Sequence, residues 1–311
     1  MNLIKRILLT GILTTAYTGA ISASGVMRSP SLANTRIQGV MMYDNEKSVE
    51  NTGIYSYSVT PPVNRKPVTI MPRIYVTGDA VVNNGKLYSF TASISYGYVS
   101  SANYYVYDLA SGEQLSRTSM GYDLATVYGH MATSSATDPT TGTVYVSGYT
   151  YNEADKMLYP QLKTWDLAAN TKTTVGDMPG SLIAMAFDAT GQLYGITGSP
   201  SAVVDGCGLL VKIDKTNGKC TEVGATGVTP KFDQSAVIDP ETGVMYWFAN
   251  DADEKANLYT VDLKSGKATL VSALPNGDEV VAAWIPAQTT ADAAPSPAAN
   301  LTPSFEGRSL K

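Results

Sequence analysis

The chain has one histidine, two cysteines and five phenylalanines in 311 residues, and only 16% of it is charged. A single histidine, His130, excludes metal sites built from several imidazoles and leaves little for a histidine-based proton relay. It is expected to be either satisfied in the interior or solvent-facing. Lysine and arginine form no cluster, and the net charge is −5. That balance argues against nucleic acid as a partner. No glycine-rich phosphate loop, Cys-x-x-Cys pair or nucleophile elbow occurs. Beyond about residue 20 no apolar run is long enough to span a membrane, and no segment carries sustained helical periodicity.

What is present begins at the N-terminus. "MNLIKRILLTGILTTAYTGAISASG" places Lys5 and Arg6 before an apolar stretch from Ile7 to about Ala20, followed by small residues. This is the layout of a secretory leader, assigned to residues 1–24. The alternative, a membrane anchor, is disfavoured because Thr and Gly dilute the stretch below ~20 clean apolar residues. The segment has no cysteine, so lipoprotein anchoring lacks an acceptor. Export to the periplasm, cell surface or medium would permit disulfides. Cys207 and Cys220, however, flank a hairpin turn at Lys215–Gly218 that sets Cys220 opposite about Ile213. Cys207 then lies roughly six residues away, or ~20 Å at strand rise, against the ~7 Å limit on Cα separation for a bridge. Two free thiols are expected.

Tyrosine is abundant, at 20 residues, and suits half-wet strands and loops where the ring packs and the hydroxyl meets water. Between such strands one phrase keeps returning: "TDPTTGTVY" at 137–145, "FDATGQLY" at 187–194 and "IDPETGVMY" at 238–246, with a degenerate "VNNGKLY" at 82–88. A sister phrase, "YDLASG", "WDLAAN", "IDKTNG" and "VDLKSG", begins at Asp108, Asp166, Asp214 and Asp262. Asp caps a tight reversal through its side chain, and Gly takes the positive φ the reversal needs. Asn170 fills the Gly place in "WDLAAN", and Asn is the other residue that tolerates that conformation. The phrases are therefore read as hairpin turns, with a conformational role.

Within each class the turns recur every 48–58 residues or so, the period of four-stranded propeller blades. Four blades read directly, at roughly 78–120, 131–178, 182–224 and 234–274. The remaining strands, "IQGVMMYD", "GIYSYSV" and "PVTIMP" at one end and "VVAAWIP" at the other, make a fifth. The expectation is an all-β propeller over residues 36–286, with five blades of four antiparallel strands closed by N- and C-terminal strands together. Six or seven blades is the alternative. Closure also removes sheet edges that would invite aggregation. Residues 287–299, rich in Ala, Pro and Thr, read as an extended linker. Residues 300–311 read as one strand of a further module, cut short.

With those phrases, the Pro/Ala linker and "AANLTPSFEGRSL", the chain resembles exported propeller proteins of Bacteroidetes-type bacteria, with quinoprotein-like or YVTN-like repeats. The resemblance implies a fibronectin type III-like or immunoglobulin-like module after the propeller. A quinone enzyme of that repeat type would need a metal site and a vicinal disulfide, which this sequence lacks.

Two chemistries remain open. Carboxylates at the channel mouth (Asp123, Asp233, Asp278, Glu279) would serve a glycosidase if an acid pair faced across ~5–10 Å. Asp278 and Glu279 also read simply as turn residues, and Asp233 as an exposed loop acid. Isolated turn aspartates do not supply the several oxygens calcium needs. The second chemistry is binding. The connections opposite the Asp–Gly turns are long and varied, and all emerge on one face. They carry Tyr96, Tyr98, Tyr128, Tyr149, Tyr151, Tyr159 and Phe232. Rings interleaved with Ser, Asn and Asp suit stacking on a sugar or gripping a peptide; they also suit mere packing of loop on loop. The expected ligand-binding set is Tyr98, Tyr128, Tyr149, Tyr151, Phe232 and Asp233. No cofactor or metal, no membrane span after leader removal and a monomeric state complete the expectation.

Overall fold

The computed structural model describes residues 35–44, 49–74, 76, 80–95, 98–198, 207–231 and 234–286. The expected leader, linker and terminal module lie outside these residues. The chain opens with β1 (Arg36–Tyr43), β2 (Gly53–Ser58) and β3 (Arg65–Ile70). Then follow β4 (Ala80–Asn83), β5 (Lys86–Ser95), β6 (Tyr98–Asp108) and β7 (Gln114–Ser119). A helix, α1 (Leu124–His130), leads into β8 (Ala132–Thr137), β9 (Val144–Asn152), β10 (Met157–Asp166) and β11 (Thr171–Asp177). Next come β12 (Leu182–Phe187), β13 (Leu193–Thr197), β14 (Leu209–Ile213) and β15 (Cys220–Ala225). The last are β16 (Ser235–Ile238), β17 (Met245–Asn250), β18 (Ala256–Val261), β19 (Ala268–Ala273) and β20 (Glu279–Trp284).

These strands form five antiparallel sheets of four, which are the blades of a propeller. Blades two to five each take four consecutive strands, β4–β7 through β16–β19. Blade one is ordered β20-β1-β2-β3, so the C-terminal strand is its innermost member. The closure read from the two chain ends is the observed one. Each gap between neighbouring blades is filled by its own apolar cluster. Val81, Tyr104, Val146 and Trp165 join blades two and three, for example, while Ile37, Tyr57, Tyr246 and Phe248 join blades one and five. The ring thus holds by sheet-on-sheet burial repeated five times.

The Asp–Gly phrases are hairpin turns, one class joining the first and second strands of a blade and the other the third and fourth. Asp138 Oδ1 accepts from the Thr140 amide at 2.8 Å, Asp188 Oδ1 from the Thr190 amide at 2.9 Å, and Asp262 Oδ1 from the Lys264 amide at 2.9 Å. Asn170, standing in the glycine place, has φ 50°. Gly243 and Gly266 have φ +70° and +80° but differ in surroundings. A Cβ on Gly243 would meet nothing within 4 Å, whereas one on Gly266 would lie 2.3 Å from the Gly224 carbonyl oxygen of the neighbouring blade. Gly243→Val is expected to cost ~1–3 kcal/mol through backbone strain alone. Gly266→Val should cost at least ~1 kcal/mol more because two backbones must part. Paired urea melts check this, and equal losses would refute the blade-to-blade contact.

Ile213 stands opposite Cys220 in the β14–β15 ladder, the register expected from the hairpin, and both cysteines are free. Helix α1 was not expected from the sequence. It is only seven residues long, too short for periodicity to declare it.

Candidate functional site

In a four-stranded blade the first–second and third–fourth turns share one end of the ring, and the second–third loops share the other with the connections between blades. The long-loop face is therefore a consequence of strand order, and α1 lies on it, between blades two and three. Asp123 caps the helix, its Oδ2 accepting from the Thr126 amide at 2.8 Å. That hydrogen bond, first among its causes, lowers the carboxyl's pKa. Val127 is fully buried beside Phe90, Val99 and Ala102, which turns Tyr128 toward blade three. The Tyr128 and Tyr151 rings sit 5.6 Å apart, tilted by 30°, and the Lys156 ammonium lies 5.9 Å from the Tyr151 centroid. Tyr98 (78% exposed) and Tyr122 (70%) are the most open rings among the described residues. Tyr159 is exposed and donates its hydroxyl hydrogen bond to Asp155.

Of the expected ligand set, then, the structure brings Tyr128 and Tyr151 together and leaves Tyr98 open. Tyr149 is a core residue instead, 7% exposed. Tyr151, two residues on along the same strand, is half-buried; burial raises the Tyr149 pKa while the Ser181 side chain hydrogen-bonds to it. Tyr96, Phe232 and Asp233 lie outside the described residues.

Sequence reasoning missed the residues that hold α1 in place. Lys163, 5% exposed, donates to the Tyr149 carbonyl at 2.5 Å and to the Gly129 carbonyl at 3.3 Å. Lys172 donates to the His130 carbonyl, with its ammonium 4.0 Å from the Trp165 ring centroid. Two lysine amines thus meet the carbonyl end of the helix, where its dipole favours positive charge. Burial, reinforced by Lys163, lowers the Lys172 pKa to about 7. His130 stacks on Phe90 with centroids 6.1 Å apart. Burial, then Lys172 and Lys163, lowers its pKa to about 4, so the imidazole is neutral at physiological pH. Its Nδ1 is buried without a hydrogen-bond partner, which is neither of the placements expected for it. Lys163 is the one basic residue on β10 and Lys172 the one on β11, and two lone lysines nine positions apart are the only trace in the sequence.

The channel-mouth carboxylates do not assemble as a glycosidase pair among the described residues. Asp123 is the helix cap. Asp278 is fully buried, ion-paired with Arg65 and accepting from the Tyr57 hydroxyl at 2.9 Å. Arg65 also lies 3.7 Å from Asp44 and 4.7 Å from the Tyr55 ring centroid. This network ties the residue before β20 to β2 and β3, so its geometry is that of a closure clasp. Burial outweighs Arg65 and Tyr57 and raises the Asp278 pKa to about 6.

The central channel holds a cavity of about 290 Å³. Its lining includes Pro139, Asp188, Ala189 and Pro240 from the first–second turns, so it opens at the short-turn end, away from the aromatic face. Each inner strand contributes an alanine to the wall: Ala80, Ala136, Ala186, Ala236 and Ala282. The hydroxyls nearby bind the ring to itself. Ser134 donates to the Leu182 carbonyl, Ser135 to Ala80 and Ser235 to Val280. Asp188, the one carboxylate in that wall, accepts hydrogen bonds from its own turn.

Five blades, a closure clasp and an aromatic long-loop face define the molecule as a five-bladed β-propeller. Among the described residues no helix is long and apolar enough to cross a membrane, and no cluster of three or more His, Cys, Asp or Glu is placed to hold a metal. No protein-family model matches the chain, and no curated protein matches it. Among solved structures it is similar to TolB from Acinetobacter baumannii, with a TM-score of 0.43 and 11% identity. The match covers 78% of this chain and 54% of that one, so the chain spans about half the length of that protein.

Proposed function

We propose that the protein is a non-catalytic binding or scaffold module of an exported bacterial protein, recognising a glycan or a protein through its long-loop face. The observation that carries this reading is the Tyr128–Tyr151 pair with Lys156 beside it. A helix held at both ends supports that pair, by Asp123 at one and by Lys163 and Lys172 at the other. Aromatic pairs on a rigid support lose little conformational freedom on binding, and they offer both a stacking face and hydroxyls. The leader-like residues 1–24 favour export. Residues 287–311 fit a linker into a further module, and the propeller acts as a monomer.

A glycan array and a peptide array probed with the purified protein test the reading, with hydrolysis assays on every hit. Tyr151→Ala is expected to weaken binding about tenfold or more, the loss typical of an interface aromatic, with Tyr98→Ala weaker in effect and thermal stability unchanged in both. Turnover of a hit that disappears in Asp233→Asn would replace this reading with a carbohydrate-active enzyme.

A further inference from the structure

From the opposite end of the ring, we infer that the short-turn mouth of the central channel is a binding site for the chain's own residues 26–34, with Leu32 as its apolar anchor. The site is the cavity of about 290 Å³ walled by the alanines of five inner strands and flanked by Phe187, Trp284 and Ile285. Three of the wall's serine hydroxyls already give their protons to neighbouring carbonyls, and the five alanines, Phe187, Trp284 and Ile285 supply its apolar surface. A pocket of that kind favours an uncharged, apolar occupant.

The place where the chain begins its first strand selects the occupant. Thr35 donates to Asp239 Oδ2 at 3.4 Å, and the next residue of that turn, Pro240, lines the cavity. Thr35 therefore stands at the mouth. Leu32 is three positions upstream, within roughly 10 Å of extended chain. Tethering at that range gives an effective concentration in the millimolar region, so the contact does not bear the full cost of bringing two molecules together. The sequence "VMRSPSLAN" sets Leu32 between Ser31 and Ala33, with Arg28 as its one charge. Ile285 lines the mouth too, but the first apolar side chain larger than alanine or proline after Pro286 is Leu301, some 15 residues on.

Photo-crosslinking in the full chain tests the inference. A benzophenone amino acid at position 32 is expected to crosslink, within one molecule, to peptides containing Ala236, Ile238 or Ile285. The same group at Phe305 should not reach them. Leu32→Asp should lower the melting temperature by about 2–4 °C, the shift expected for a loss of one apolar contact in a ring of this size, and Ser31→Asp should not. The inference fails if position 32 crosslinks elsewhere or not at all. It also fails if the crosslinks join two molecules, if only position 305 reaches the channel, or if native mass spectrometry finds a small apolar molecule bound there. None of these outcomes bears on the aromatic face, whose array test is separate.

Discussion

Deleting residues 279–311 should abolish cooperative unfolding, whereas deleting only 287–311 should leave the melt as it was. The difference between the two truncations is β20. That strand is the innermost of blade one and pairs with β1 from Gln38↔Trp284 to Tyr43↔Glu279. Val280 and Val281 are 2% and 0% exposed and enter different clusters, one facing blade five and the other blade two. Burial of the two valines alone contributes about 3–6 kcal/mol, against the 5–15 kcal/mol by which a typical protein exceeds its unfolded state. Losing β20 also strips β1 of its ladder on one side, frees Ser235 from the Val280 carbonyl and opens a long unpaired edge at the channel. Calorimetry or a urea melt followed by circular dichroism would check it. A sharp, full-length-like transition in the 279–311 deletion would mean that blade one closes without its fourth strand.

The blade count and this closure were legible because turn chemistry repeats in the sequence where strand composition does not. Asp138, Asp188 and Asp239 mark one turn class and Asp108, Asp166, Asp214 and Asp262 the other. Each carries its own hydrogen-bonding reason, so the spacing between them could be converted into strands. The register of the Cys220 hairpin followed from the same turn logic. The site was less legible. A strand alternates faces every residue, so Tyr149 and Tyr151 should share a face, yet Tyr149 is buried and Tyr151 half-buried. What separates them is how far each extends beyond the shelter of Ser181 and the next blade, and sequence does not encode that height. Asp123 read as a channel-mouth acid because a helix of two turns lacks a detectable period. Asp278 read as a turn residue because its partners, Tyr57 and Arg65, are more than 200 positions away.

That long-range partnership carries the second large expected effect. Asp278→Ala should cost about 3–5 kcal/mol at pH 7, because it leaves Arg65 largely buried, with Asp44 at 3.7 Å as its remaining carboxylate. Asp278→Asn keeps the shape and the contact with Tyr57, so its effect is read best as a change in pH dependence. The carboxyl titrates at about 6 in the folded protein and near 3.9 when unfolded. Between those values the folded state holds a proton that the unfolded state has lost, so the stability contributed by this group falls as pH rises. It is fully present below about pH 4 and gone above about pH 6. The difference amounts to about 3 kcal/mol, at ~1.4 kcal/mol per pKa unit. Asp138 works the other way. Burial raises its pKa, but Lys215 and Thr140 outweigh that and hold it at about 2, so its contribution is lost only as pH falls below about 4. Subtracting the Asp278→Asn profile from the parent's cancels Asp138 and every other common group. The difference should decline between pH 4 and 6.5 and be flat on either side. Parallel profiles across that window would mean that Arg65 holds Asp278 ionised throughout. The double variant Arg65→Met with Asp278→Leu should recover much of what Asp278→Ala loses, since apolar side chains filling the same space avoid the cost of burying both charges. If it recovers nothing, the clasp supplies closure through its charge and hydrogen bonds, and not merely through packing.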